Sequence, residues 1–183
     1  EVSSFQLHTT SSAFRPRVAV LLNVADDHLD WHGSFAAYAA DKAKVFTHQA
    51  GEDLLVYNAD DPVVAELAGQ APARRVACST DPDATEGFRI REGHLVDASG
   101  RRLVAVADLP MRAPHDLANA LAAAAAALDL GAEPDAVRAA LLAAIEAADA
   151  NPAVKAIVIH AAGKLFVGGA DIREFDAPPK APL

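Results

Sequence analysis

The residue types able to do chemistry are concentrated in residues 21–46, LLNVADDHLDWHGSFAAYAADKAKVF. Here Asp26, Asp27, His28, Asp30 and His32 crowd one short turn, and Lys42 follows in an unusual place. Carboxylates and imidazoles grouped in this way suit metal binding or proton transfer. His28 and His32 are four residues apart, a spacing that admits a zinc pair, but a turn rather than a helix is expected to carry them and no thiol is nearby. Lys42 recurs with Phe35, Tyr38, Val45, Phe46 and Gln49 at spacings of three and four, so it falls on an apolar helical stripe. An ammonium turned toward a core either extends its head to the edge of the packing or loses its proton and becomes a reactive amine. Both outcomes are open for Lys42. Lys44 shares the opposite face with Ala37, Asp41 and His48 and reads as an ordinary solvated lysine.

Two elements must position these groups. Residues 18–24 form a nearly unbroken apolar run, the pattern of a strand covered on both faces in a parallel sheet, and the Asp/His turn falls just past its carboxyl end. In open α/β sheets that edge carries the ligand crevice, because the loops diverge there. Ser34 then reads as the N-cap of the helix that presents Lys42.

Three stretches in order resemble the central domain of the Mur ligases: EVSSFQL at residues 1–7, NVADDHLDWHGSFAAYAADKAKVF at 23–46 and YNADDP at 57–62. The resemblance is closest to the type that joins D-glutamate to UDP-N-acetylmuramoyl-L-alanine in peptidoglycan precursor synthesis. It implies magnesium binding by Glu1 and His28 and carbamylation of Lys42, with His28 and Lys42 as catalytic residues. It also implies that Ser3 and Gln6 face the nucleotide-sugar substrate, that Asn23 and Asp27 support His28, and that ATP drives the reaction. Elementary chemistry is consistent with these roles. Only a neutral amine takes up carbon dioxide, and the carbamate formed is an anionic oxygen ligand suited to a hard cation beside substrate phosphates.

With 183 residues, 52% of them hydrophobic, the chain can build a real core, and a net charge of −9 argues against a non-specific nucleic-acid binder. The single cysteine, Cys78, excludes an internal disulfide. The alanine run at 122–127 is too short to span a bilayer, and no secretory leader pattern opens the chain, so a cytoplasmic location without membrane contact is expected. The first residue already belongs to a motif, which reads as a chain cut from something longer. No GxxxxGK[ST] phosphate loop occurs, and the Gly168-Gly169 pair lacks the Lys-Ser/Thr that would complete one. This chain alone is therefore expected neither to hydrolyse ATP nor to form an amide bond.

Downstream, residues 53–57 read as a strand, and Asn58 to Pro62 as a turn leading into a capped helix. By resemblance, Asn58 and Asp60 lie near the nucleotide. Residues 74–78, 88–91, 94–96 and 103–107 are short β-like runs separated by turn signals, predicting small antiparallel hairpins in which His94 is a solvated loop residue. A helix is predicted over 117–130, ending at Gly131. Its PHDLANALAAAAAALDLG stretch resembles the Mur element GxHNxxNxxAA, which places Asp116 and Asn119 toward adenine. Pro114 and Asp116 depart from that pattern, and an aspartate has no amide donor to offer. A further helix is predicted from Glu133-Pro134 to about residue 150.

Residues 145–183 then resemble the start of a crotonase (enoyl-CoA hydratase/isomerase) domain, through the strand-like PAVKAIVI and the FVGGADIREF turn. This implies an acyl-CoA thioester as an alternative ligand, with the Gly168 amide as half of an oxyanion hole. The expected organisation is thus a partial Mur-like central domain over 1–144 joined to a partial crotonase-like segment over 145–183. The chain's own activity could be that of either enzyme class or of a non-catalytic chimera. The expected fold is α/β: a mostly parallel sheet with flanking helices, a small antiparallel section near 74–107, and a terminal strand-turn-helix piece.

Overall fold

The computed structural model describes residues 2–25, 27–109 and 112–149, with side-chain surroundings through residue 142. One six-stranded sheet runs β1 (Val18–Leu21), β2 (Leu54–Asn58), β3 (Arg74–Ser79), β4 (Phe88–Arg91), β5 (His94–Val96) and β6 (Arg102–Ala105) in that spatial order. β1 to β4 pair in parallel, with Val18 opposite Leu54 and Leu54 opposite Arg74, whereas β4, β5 and β6 pair antiparallel. The helices are α1 (Ser4–His8), α2 (Leu29–His32), α3 (Phe35–Thr47), α4 (Pro62–Ala68), α5 (Pro114–Asp129) and α6 (Pro134–Asp149).

The unbroken apolar strands have a simple consequence. Alternate residues of a strand point to opposite faces, so a strand apolar at every position must be covered twice. Val18, Leu54, Val56 and Cys78 pack on one face with Leu117, Leu121, Val137 and Leu141 of α5 and α6. Ala19, Leu21 and Leu55 pack on the other with Tyr38, Phe46, Val64 and Ala68 of α3 and α4. The alanine run in α5 is core, with Ala122, Ala124, Ala125 and Ala126 all buried, and small side chains there let the helix lie close on the sheet. No helix among the described residues is long and apolar enough to cross a membrane.

The structure corrects several expectations. β1 ends at Leu21, three residues short of the apolar run, because the Val24 amide donates to the Asp61 carboxylate (3.0 Å) instead of to a neighbouring strand. Residues 74–79 form no hairpin: β3 joins the parallel part beside β2, and the antiparallel strands continue the same sheet. His94 opens β5 and is not a loop residue; its Nδ1 donates to the Glu92 carbonyl at 2.9 Å. α5 starts one turn before the predicted Leu117, with Pro114 in its first turn, and Gly131 follows its end at φ +90°, the left-handed conformation a helix C′ residue favours. The thiol of Cys78 is driven up to about 12, by burial first and then by the nearby Asp60 charge, so it is no nucleophile.

Gly87 marks the tightest backbone approach. Its φ is +70°, and an added Cβ would lie 2.3 Å from the Ala77 carbonyl oxygen of β3. Gly87→Ala should therefore cost about 2 kcal/mol or more, through both the left-handed backbone and the clash with main chain. Thermal unfolding followed by circular dichroism checks this, and an unchanged Tm would refute the packing described between β3 and β4.

Candidate functional site

The carboxyl ends of β1, β2 and β3 share one edge, and two adjacent aspartates stitch its loops together. Asp61 caps α4, accepting from the Val63 and Val64 amides at 2.9 and 3.0 Å, while its other oxygen accepts from Val24 beyond β1. Asp60 accepts from the Ser79 hydroxyl and from the Thr80 amide and hydroxyl at 2.7 and 2.8 Å, joining the loop after β2 to the one after β3. Burial would raise the Asp60 carboxyl, but these donors outweigh it and hold the group below its ordinary value. Asn58 accepts from the Asp60 amide at 3.0 Å. Both residues expected near a nucleotide thus have their side-chain oxygens engaged in shaping the edge.

Beyond β1 lies His28, at φ 52° and ψ 29°, a left-handed backbone that non-glycine residues rarely adopt. Asp27 holds it from two sides: one carboxylate oxygen accepts from the His28 amide at 2.8 Å, and the other lies 3.2 Å from Nε2. The aromatic rings continue this neighbourhood. Phe5 of α1 sits 4.8 Å from His28 and 5.6 Å from His32, and His32 lies 5.2 Å from Tyr38. Lys42 is half-buried rather than in the core, its Nζ 5.3 Å from the Tyr38 ring centroid. The Tyr38 phenol is raised, by burial first and then by the Asp27 charge, which is therefore felt on the face of α3 that carries Lys42.

The opposite face of α3 departs most from expectation. Asp41 is not solvated but 6% exposed, and Lys44 is half-buried against it. One Asp41 oxygen accepts from Lys44 at 2.8 Å; the other lies 2.8 Å from His8 Nδ1 and 2.9 Å from His32 Nδ1. His32 Nε2 meets the buried Ser4 hydroxyl at 3.1 Å, and Lys44 also donates to the His8 carbonyl at 2.9 Å. An ionised carboxylate only accepts, so both Nδ1 atoms carry the proton. Burial pushes the Asp41 carboxyl upward, yet the bonds from Lys44, His8 and His32 more than offset it and hold it at about 2. Periodicity misplaced Asp41 because the solvent side of α3 is covered by α1, a short helix whose S-x-x-Q start at Ser3 was the readable signal for it.

Ser3 and Gln6 cap each other at that start: the Gln6 amide donates to Ser3 Oγ at 3.2 Å, and the Ser3 amide to Gln6 Oε1 at 2.8 Å. Asp116 accepts from the Ala113 amide at 3.0 Å and so closes the first turn of α5, while Asn119 stands exposed on that helix. Glu1, Asp26 and Gly168, together with the whole 150–183 stretch, lie outside the described residues.

Residues 1–127 match the family model described as "Mur ligase middle domain". The chain is 48% identical over 161 residues to the UDP-N-acetylmuramoylalanine-D-glutamate ligase of Frankia casuarinae, covering 86% of this chain and 34% of that protein. It is 42% identical over 138 residues to the enzyme of the same name from Geobacillus kaustophilus, covering 75% and 30%. In fold it is similar to crystalline MurF from Acinetobacter baumannii, with a TM-score of 0.59 at 21% identity, over 76% of this chain and 30% of that one. The chain spans about a third of the length of the curated relatives it matches.

Asp41→Asn leaves imidazole and ammonium donors facing a neutral amide and should lower stability by about 2 kcal/mol near neutral pH. The folded-state value lies below the ordinary 3.8, so Asp41's contribution is fully present above about pH 4 and is lost as pH falls toward 2. Unfolding midpoints of the two proteins compared across that range should converge at the acid end. A gap independent of pH would mean that the carboxylate's charge is not what holds α1 to α3.

Proposed function

This chain belongs to the Mur ligase family, and from that premise we propose that it is the central segment of an ATP-dependent ligase joining D-glutamate to UDP-N-acetylmuramoyl-L-alanine. Because it spans about a third of the relatives' length, amide-bond formation is proposed for the larger enzyme and metal and phosphate handling for this segment. The observation that carries the reading is His28, held in a left-handed backbone by Asp27 at the carboxyl end of β1. Lys42 occupies the neighbouring face of α3 beside Tyr38. Strain of that kind persists where surrounding structure enforces it, and it concentrates at functional sites.

The donor chemistry suits magnesium: an imidazole, a carboxylate second partner in Asp27, and an amine that can become an oxygen ligand. In the proposal, His28, carbamylated Lys42 and Glu1 hold the ion. In its neutral form Lys42 Nζ attacks the carbon of carbon dioxide: an N–C bond forms as one C=O π bond opens to a carboxylate, and one proton leaves to solvent, so the neutral amine becomes an anion; counted from the ammonium, two protons are released. Bound magnesium would neutralise charge on the phosphates during acyl-phosphate formation. Asp27 fixes the His28 ring so that its position does not depend on the ion. Asn119, exposed on α5, is the adenine contact in this reading, with Asp116 shaping the helix start and Asn58 and Asp60 shaping the edge beneath the nucleotide. Ser3 and Gln6 serve the sugar substrate through the helix turn they build. No observation among the described residues favours the acyl-CoA alternative for 145–183.

Carbon-13 NMR of the chain in labelled bicarbonate tests this directly. A carbamate resonance should appear and be absent from Lys42→Ala, while Lys44→Gln retains it. A spectrum without that resonance, or one unchanged in Lys42→Ala, would remove Lys42 from the proposed site.

A further inference from the structure

We propose that His8, His32 and Asp41 form a binding site for one divalent transition-metal ion of borderline softness, such as zinc, cobalt or nickel. Their ligand atoms lie within 4.8 Å of one another, on α1, at the end of α2 and on α3. Two imidazole nitrogens and one carboxylate oxygen make a donor set for such ions, unlike the oxygen-rich set that magnesium prefers. The site therefore stands apart from the ligase reading and does not need it. It also replaces the zinc pair suggested by the spacing of His28 and His32: His32 is a ligand, but its partner comes from α1.

The network is arranged to accept an ion without net change in protonation. The two Nδ1 protons now pointing at Asp41 Oδ2, across 2.8 and 2.9 Å, occupy the space the ion would take. Moving each proton to Nε2 frees Nδ1 as a ligand. For His32 the acceptor is in place, since Nε2 already faces Ser4 Oγ at 3.1 Å, the kind of outer contact that fixes a ligating imidazole. For His8 it is water, because that side chain is 52% exposed. An ion about 2.1 Å from each donor needs donors no more than about 4.2 Å apart, and rotation of the exposed His8 ring can close the difference. Lys44 binds the other carboxylate oxygen, Oδ1, and leaves Oδ2 to the ion, although its positive charge weakens binding. Trp31 covers the cluster, with its ring 4.9 Å from His8 and 4.5 Å from His32.

Trp31 is the chain's single tryptophan and packs on His8, His32 and Phe5, so its fluorescence reports on this cluster and its immediate surroundings, and the variants below separate the two. Titration with cobalt(II) is expected to quench it saturably at one equivalent, with zinc(II) competing and restoring emission. His8→Ala, at a half-exposed position, should fold normally by circular dichroism and weaken cobalt binding by about tenfold or more. Lys44→Gln should tighten it, because a cation leaves while every ligand stays. The proposal is overturned if quenching is not saturable, if folded His8→Ala binds as tightly as the parent, if Lys44→Gln binds more weakly, or if His28→Ala abolishes binding that His8→Ala retains. The last result would place the ion at the proposed magnesium site and leave the ligase reading standing.

Discussion

A carboxylate buried to 6% exposure cannot remain charged without partners, and Asp41 has three, each from a different direction. His8 reaches it from α1, His32 from the end of α2, and Lys44 from one turn further along α3. Because an unpaired charge in that position is costly, the three helices are locked into one arrangement. The constraint extends outward: with α1 set on α3, Phe5 falls against His28 and His32, and Trp31 closes over His8. Asp41 and Lys42 are chain neighbours on a helix, so securing one also sets the direction of the other. Lys42 stands over the Tyr38 ring, its Nζ 5.3 Å from the centroid.

The sheet supplies the second constraint. Parallel strands deliver their carboxyl ends to one edge, and three loops carrying polar residues meet there. Asp60 and Asp61 use their oxygens to join those loops, which gives the edge a definite shape before any ligand arrives. On this edge, acids divide between architecture and chemistry according to what they accept from. Asp61, capping α4 and holding Val24, is architectural; Asp27 holds an imidazole in a strained backbone and bears on the chemistry only in the proposed site.

Much of the fold was legible because each local signal and the global arrangement agree. A continuous apolar run marked β1 as a doubly covered strand, residues 53–57 were readable as the next strand, Ser34 capped α3 as its spacing suggested, and Gly131 ended α5. What failed was long-range. Turn signals around residues 74–79 suggested a hairpin, but only the pairing of β3 with β2 decides that this strand is parallel. Helical periodicity put Asp41 on a solvated face, since nothing within α3 reveals that α1, some thirty residues earlier, covers it. The proposed Lys42 and His28 site was suggested by residue types and their order, whereas the His8–His32–Asp41 cluster joins residues 33 and 9 positions apart, separations that no local pattern encodes.

The most direct test of the proposed site is a crystal structure of the chain grown with manganese(II) and bicarbonate, read by anomalous scattering at the manganese edge. The account predicts a peak within coordination distance of His28 and of a carboxylated Lys42 side chain, at the carboxyl end of β1. Unmodified Lys42 with no peak beside His28 would contradict it.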